Sequence, residues 1–297
     1  MKVFRKRETA VENLAFMGVA SALVGIFALA SSFSVIASLA LMLILPLLSA
    51  LVAMICKWRY LPLYFVASVV VSTLLSFASF QNEILFVLPA IILGIVYGML
   101  ERSKLGHSIS LFLCAILEFG LFYVSIAVIR GIYEIDMVEF LLRFIGRQKD
   151  GVTELIFPCF ALAYAYAQIA ILHLVFEFTF SRFSLQEKKD YLKPFYFILG
   201  IAFYAASIIL AFLHVALAYI FFGLSLYWTV FSLVSFFQKP LRIPGIFLVS
   251  SILITLLLAS LLYRYMPPNT GMLLYGALFV FANFASFLND LLLRKKK

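Results

Sequence analysis

The sequence predicts an all-α protein, a polytopic transmembrane helical bundle of about ten spans with both termini in the cytoplasm. Three observations predict this class: 65% of the 297 residues are hydrophobic, only 12% are charged, and the mean hydropathy is +1.11. Soluble domains carry about 25% charged residues. The composition therefore indicates a protein whose surroundings are a lipid bilayer.

The stretch from Leu85 to Leu100 shows the pattern that the rest of the chain repeats. It carries no charge and ends at the charged residues Glu101 and Arg102. As a helix rising about 1.5 Å per residue, it just reaches across a hydrocarbon core of about 30 Å. Basic residues at such an end mark the cytoplasmic side.

Small residues four apart predict close helix crossings, because they lie on one face and let a neighbouring backbone approach. Gly94 and Gly98 have this spacing in the fourth predicted span, and Gly18 and Ala22 have it in the first. We expect these faces to serve either helix packing inside the bundle or docking of a partner subunit.

Ten spans can be drawn from the apolar runs. The least obvious division is residues 195–237, which carry no charge and are too long for one helix across about 30 Å. We divide them into a tight hairpin near His214. The predicted spans are 14–32, 35–55, 61–79, 84–100, 108–129, 154–178, 195–213, 216–237, 245–263 and 272–292.

The basic residues support the ten-span count. With ten alternating spans and cytoplasmic termini, 18 of the 23 Lys and Arg residues fall on the inner side. This is the bias expected of cytoplasmic loops, and it explains the net charge of +9 without nucleic acid. The basic residues left on the outer side are Arg130, Arg143, Arg147, Lys149 and Arg264.

The long outer connection, residues 130–153, contains a predicted amphipathic helix at about 133–147. Glu139, Arg143 and Arg147 recur every four residues, and apolar residues cover the other side. Such a helix lies at a membrane surface. It is either a surface anchor or a mobile lid over the bundle.

The domain organisation predicted for residues 1–297 is a single membrane domain. The charged inner loop at 182–193 divides it into a six-helix part, 1–180, and four further helices, 194–297.

Catalytic signatures are absent from the sequence, and we predict no enzyme and no cofactor. There is no phosphate-binding Gly-Lys-Ser/Thr loop, no His-Glu-x-x-His and no Gly-x-Ser-x-Gly. The three histidines are far apart in the chain, and the three cysteines lack paired spacing. We therefore predict neither a metal site nor a disulfide framework.

Three polar residues lie near the middle of predicted spans and form the candidate solute-binding set: Glu118, Gln168 and Asn283. A charge at this depth costs about 2.5–3.5 kcal/mol, so Glu118 should face protein or a water-filled cavity. Transporters often place a binding site at the midplane. The other interpretation is that Gln168 and Asn283 join helices by hydrogen bonds.

His173 and Glu177 are a second candidate pair, four residues apart on the inner half of the sixth predicted span. They could form a proton-responsive couple. The alternative is an interfacial hydrogen-bonded pair near the lipid headgroups.

Several motifs follow one another in a recognisable order: Gly18 and Ala22, Pro46 in Leu-Ile-Leu-Pro-Leu-Leu, the segment Leu-Gly-Ile-Val-Tyr-Gly-Met-Leu-Glu-Arg, Gly223 in Phe-Phe-Gly-Leu-Ser-Leu, and the Asp290 to Arg294 region. Their order resembles an uncharacterised bacterial multi-pass membrane family, a domain of unknown function. That family is distantly similar to the S components of energy-coupling-factor vitamin transporters, a likeness that covers about the first 180 residues. S components usually have six helices.

The resemblance implies a cell-membrane transport component that binds a small solute in the bundle, has no ATPase of its own, and partners an energy-coupling subunit or acts passively. A non-transporting scaffold or regulator of the cell envelope is the alternative, suggested by the basic segments 182–193 and 294–297. A lipid-modifying enzyme is the least favoured, because few acids, histidines and basic residues cluster within the spans.

Overall fold

The computed structural model of the chain is helical throughout the residues that it describes, with no strand among them. This confirms the all-α class. The described residues are 6–33, 35–77, 80–144, 151–180, 195–238 and 241–295.

The longer helices alternate with short turns, as in other multi-pass bundles. The α-helices of eight or more residues in the described ranges are α1 (Ala10–Ser31), α2 (Val35–Ile55), α3 (Leu61–Leu75), α4 (Leu88–Arg102), α5 (His107–Tyr133), α6 (Met137–Phe144), α7 (Gly151–Phe180), α8 (Tyr196–Ala211), α9 (Val215–Gln238), α10 (Arg242–Leu262) and α11 (Ala277–Lys295).

Eight helical segments in the described part of the chain are long and apolar enough to cross a membrane. Two shorter apolar helices, Leu41–Ile55 and Tyr196–Ala211, accompany them. The protein is therefore a multi-pass membrane protein. The count of ten spans stays a prediction.

The contacts divide the chain into two compact units. The first comprises Met1–Phe144 with Ala165–Asp190, and the second comprises Ile145–Tyr164 with Tyr191–Lys297. Helix α7 contributes to both units, and the chain passes from the first to the second again between Asp190 and Tyr191, within residues 182–193. The domain organisation predicted from the sequence stays a prediction.

In the first unit, α2 and α4 cross closely at the glycines that the sequence singled out. A Cβ atom at Gly94 would overlap the carbonyl oxygen of Pro46, and one at Gly98 would lie 2.5 Å from the carbonyl oxygen of Ala50. The predicted close approach of a neighbouring backbone is confirmed here. The neighbour is α2 of the same chain.

Gly18 and Ala22 do not take part in such a crossing. Both are exposed, and a Cβ atom at Gly18 would meet nothing within 4 Å. The buried face of α1 instead carries Ser21 and Gly25, and the Ser21 hydroxyl lies 3.0 Å from that of Ser68 on α3.

Helix α1 begins earlier than the predicted residue 14, because a capping box fixes its start. The Thr9 side chain accepts a hydrogen bond from the backbone N–H of Glu12, and the Glu12 carboxylate accepts one from that of Thr9. This reciprocal arrangement satisfies N–H groups that a helix end leaves unpaired. Apolar periodicity alone does not detect it.

Helix α4 is preceded by a π-helical turn, Glu83–Val87. The hydroxyl of Ser125 on α5 donates a 2.9 Å hydrogen bond to the Ile84 carbonyl oxygen in this turn. A π turn changes the backbone hydrogen-bond pattern, and such turns are frequent at functional sites. Here the side chain of a neighbouring helix bonds to the irregular backbone.

Two other sequence predictions are confirmed. The long apolar run 195–237 is divided by a turn between α8 and α9, with His214 in the turn. The amphipathic helix predicted at 133–147 is α6, which starts after Asp136, whose carboxylate accepts hydrogen bonds from the N–H groups of Val138 and Glu139. Arg147 lies outside the described residues.

The α2–α4 crossing predicts the effect of adding one methyl group. We expect Gly94→Ala to lower the free energy of unfolding by about 1–3 kcal/mol, because the new methyl group overlaps α2 backbone. Gly18→Ala is the matched control and should change little, since its site is open. Thermal unfolding of the purified protein in detergent measures both. Equal melting temperatures for the two variants would contradict the close crossing.

Candidate functional site

Glu118 lies on the buried face of α5, in the first unit. Its side chain is 3% exposed, and its neighbours one turn away, Cys114 and Ala115, are also buried. Within the described part of the chain, no hydrogen-bond partner reaches its Oε2 atom. A buried carboxylate oxygen that lacks a partner is costly, particularly in a membrane helix.

The depth of Glu118 follows from contacts at the two ends of the antiparallel α4–α5 pair. At one end His107 Nδ1 lies 3.6 Å from Glu101 Oε1, and at the other Ser125 bonds to Ile84. Along α5, Glu118 is about 16 Å from the level of His107 and about 10 Å from that of Ser125. It therefore lies between the two polar ends of the pair.

Gln168 lies on α7, in the portion that belongs to the first unit. It is buried, and its Nε2 donates a 3.2 Å hydrogen bond to the carbonyl oxygen of Met42 on α2. Its Oε1 has no hydrogen-bond partner among the residues described. The amide nitrogen thus bonds α7 to α2, whereas the amide oxygen is an acceptor without a described donor.

Asn283 lies on α11, in the second unit. Its Nδ2 donates to Thr229 Oγ1 on α9 and to the carbonyl oxygen of Phe279, each at 2.7 Å. The amide also fills the space beside Gly200 of α8, where a Cβ atom would lie 2.5 Å from Nδ2. These contacts join three helices, as in the helix-joining interpretation of the sequence.

His173 lies on α7 with its Nδ1 atom 2.8 Å from the hydroxyl of Tyr97 on α4. Its predicted partner, Glu177, has a side chain outside the described residues. Sequence reasoning missed two groups that lie close to His173 in the fold, the Tyr97 hydroxyl and the His107 ring, whose centroid is 5.2 Å away.

Glu83 is a buried carboxylate that falls between two of the predicted spans, 61–79 and 84–100. It is 1% exposed and accepts hydrogen bonds from the hydroxyls of Ser72 and Ser76 on the preceding helical segment. The signal was present in the spacing of those serines, which places both on one helix face. Glu83 directly precedes the predicted span 84–100, so its position in the sequence did not indicate that it is buried.

The three cysteines are free thiols in the described structure and form no disulfide there. Cys56 lies just beyond α2, where burial raises the pKa of its thiol to about 11 against the lowering effects of Arg7 and Arg102. At neutral pH this thiol stays protonated, which makes it a poor nucleophile.

An open groove of about 460 Å³ lies between the segment that starts α3 and the middle of α4. Its lining is apolar and includes Trp58, Phe65, Ile92, Ile95 and Met99. The groove offers no polar group to orient a water-soluble solute, so it is not the candidate solute site.

The contacts of Asn283 predict a packing role that can be measured. We expect Asn283→Ala to lower the free energy of unfolding by about 1–2 kcal/mol, since the bond to Thr229 and the filling beside Gly200 are both lost. Ser250→Ala is the control, because that hydroxyl is exposed and bonds only within its own helix. Thermal unfolding in detergent compares them. A melting temperature unchanged in Asn283→Ala would refute the packing role.

Comparison of the chain with protein-family models, with curated proteins and with solved structures gave no match. The resemblance to the S components therefore stays a prediction.

Proposed function

We propose that the protein is a membrane transport component that binds a small solute among the helices of its first unit and has no ATPase of its own. The observation that carries this proposal is Glu118, a carboxylate enclosed by apolar helices with an oxygen that no described group satisfies. Ionisable residues inside membrane helices commonly mark the path of a substrate or an ion.

The distribution of buried carboxylates along the α4–α5 pair supports transport over a purely structural role. Glu83 lies at one end of the pair, Glu101 at the other, and Glu118 between them. The spacings of about 10 and 16 Å are too long for direct hydrogen bonds, so the three groups do not neutralise one another. A series of separated polar positions suits a solute or ion that moves between them.

The chemistry of the unused atoms favours a class of solute. Glu118 Oε2 is a carboxyl oxygen, and Gln168 Oε1 is an amide oxygen that only accepts hydrogen bonds. A ligand that satisfies them must supply N–H or O–H donors. We infer that the solute is a small amine or another cationic molecule rich in donors, because a positive partner would stabilise the charged form of the buried carboxyl group.

The proposed topology has ten spans with both termini on the cytoplasmic side of the cell membrane. Ten crossings would result if the two shorter apolar helices span the membrane together with the eight long helical segments, and the bias of basic residues favours this orientation. The segments that carry many of those residues, including 182–193, lie outside the described residues.

A partner subunit is part of the proposal, since the chain carries no nucleotide-binding motif. The exposed positions Gly18 and Ala22 on α1 are the proposed docking surface for an energy-coupling partner. Small residues on a lipid-facing surface permit close approach of another helix.

Removal of the Glu118 charge tests the solute site. Ammonium-bearing amines and uncharged analogues of equal size are screened for the rise in melting temperature that ligand binding produces. We expect some amines, and not their uncharged analogues, to stabilise the wild type. Glu118→Gln should abolish that rise, because the amide keeps the size and loses the charge.

Glu8→Gln is the control for this screen, since Glu8 is exposed outside the spans and should leave amine binding unchanged. Amines that stabilise the wild type are then tested for uptake into proteoliposomes. Equal amine binding and uptake by Glu118→Gln and the wild type would remove Glu118 from the site.

Single cysteines test the topology in the full-length chain. After replacement of the three native cysteines by alanine, Arg264→Cys should react with a membrane-impermeant maleimide on intact cells. Lys104→Cys should react only after lysis, since it lies in a predicted inner loop. The reverse labelling pattern would overturn the orientation, and labelling of both on intact cells would overturn the span count.

A further inference from the structure

Two histidines and a carboxylate from three helices converge at the turn between α4 and α5. Glu101 is the penultimate residue of α4, His107 starts α5, and His173 lies on α7. One potential metal-ligand atom from each lies within 4.8 Å of the other two. The sequence alone does not predict this cluster, because His173 is far along the chain from Glu101 and His107.

A fourth residue, Tyr97, orients His173. The Tyr97 hydroxyl lies 2.8 Å from His173 Nδ1, and the two rings meet edge to face with centroids 6.2 Å apart. Phe176 also packs edge to face against Tyr97, with ring centroids 5.3 Å apart. This hydrogen bond occupies Nδ1 of His173 and directs Nε2 away from Tyr97. Metal-bound histidines usually have such a second-shell partner on the nitrogen that does not bind the metal.

We propose that Glu101, His107 and His173 bind a divalent transition-metal ion, Zn²⁺ in particular, and that Tyr97 is the positioning residue for His173. Two imidazoles and one carboxylate are a ligand set that zinc takes in proteins, with a fourth position open to water or another ligand. Imidazole ligands favour zinc over the hard cations Mg²⁺ and Ca²⁺.

The distances suit a site that closes when the ion enters. Ligand atoms about 2.0–2.2 Å from a tetrahedral zinc ion are about 3.3 Å from one another. The separations of up to 4.8 Å therefore need to shorten by about 1.5 Å at most. Rotation of the His107 side chain can supply this movement, because it is 31% exposed and lies at the start of its helix.

Two of the proposed ligands differ in burial, and this difference suggests where the ion enters the site. The Glu101 side chain is 4% exposed, whereas the half-buried imidazole of His107 borders the short connection between α4 and α5. The ion enters past His107 and reaches the enclosed carboxylate. Arg102, which follows Glu101, donates to the carbonyl oxygens of Ala53 on α2 and of Cys56 just beyond it, so its charge is engaged at the end of that helix.

A bound ion would join the inner end of α7 to the α4–α5 turn. Without it, Tyr97 supplies the described side-chain hydrogen bond from α4 to His173. Metal bonds to all three elements would fix α7 against α4 and α5 more firmly. This inference does not depend on solute binding at Glu118 and Gln168, although Glu101 is also one of the three carboxylates along the α4–α5 pair.

The test is zinc binding by the purified full-length protein, prepared with an affinity tag that contains no histidine. The chelator-treated protein is titrated with Zn²⁺, and bound metal is measured by mass spectrometry after desalting. We expect one zinc ion per chain, a higher melting temperature with zinc, and neither effect with Mg²⁺. Co²⁺ should give the visible absorption typical of a four- or five-coordinate site.

Substitutions then assign the ligands. His107→Ala, His173→Ala and Glu101→Gln should each lose stoichiometric zinc binding, whereas His214→Ala should keep it, because that exposed histidine lies in the α8–α9 turn of the other unit. Tyr97→Phe should bind zinc about 10-fold more weakly and still bind one ion, as expected when a second-shell partner is removed.

The wild-type titration decides the proposal even if a variant fails to fold. Wild-type protein that binds no zinc above the level seen with Mg²⁺ would overturn it. Binding that persists in folded His107→Ala and His173→Ala proteins would also overturn it, because the ion would then lie elsewhere.

Discussion

The structure depends on one constraint: in hydrocarbon, a polar group must find its partner within the protein. Several serine and threonine hydroxyls in the described helices meet it by donating to a carbonyl oxygen one turn earlier, as Ser251 does to Leu248 and Thr229 to Ser225. Others bond across helices, as Ser49 does with Tyr64. Each cross-helix bond fixes the rotation of two helices relative to each other.

A buried polar group that lacks a partner can therefore indicate a role other than helix packing, whereas a bonded group indicates packing. Thr229, Asn283 and Ser225 form a continuous series of bonds through three helices of the second unit. In the first unit, Glu118 and Gln168 each retain an oxygen that no described donor satisfies. Asn283 Oδ1 likewise has no partner among the described residues, although its Nδ2 joins helices. The proposed solute site therefore rests on the ionisable carboxyl group of Glu118, rather than on an unsatisfied oxygen alone.

The sequence predicts the helices better than it predicts their neighbours. Length and charge locate the turn at His214 and the surface helix α6, and glycine spacing locates the crossing of α4. Which faces are inside is harder to predict, because lipid-facing and buried faces are equally apolar. Gly18 and Gly94 have the same spacing signal, yet one is exposed and the other packs against α2.

The candidate site shows the same limit. Glu118 is recognisable from its position in an apolar run, but Glu83 and Glu101 border charged or polar sequence and look like loop residues. Their burial results from contacts with Ser72 and with the α5 and α7 histidines. The Ser72 and His107 contacts join segments on either side of a turn, and only the His173 contact joins residues far apart in the chain. Apolar periodicity within a single span predicts none of them.

The π-helical turn at Glu83–Val87 has a consequence for how this segment tolerates length changes. One residue more or less in a regular helix rotates everything beyond it by about 100°. A wide turn absorbs such a residue, so Glu83 can meet the serines of the preceding segment while Gly94 still faces Pro46. Shortening the chain within this turn should therefore restore a regular helix, whereas the same deletion nearer Gly94 would swing the glycines away from α2.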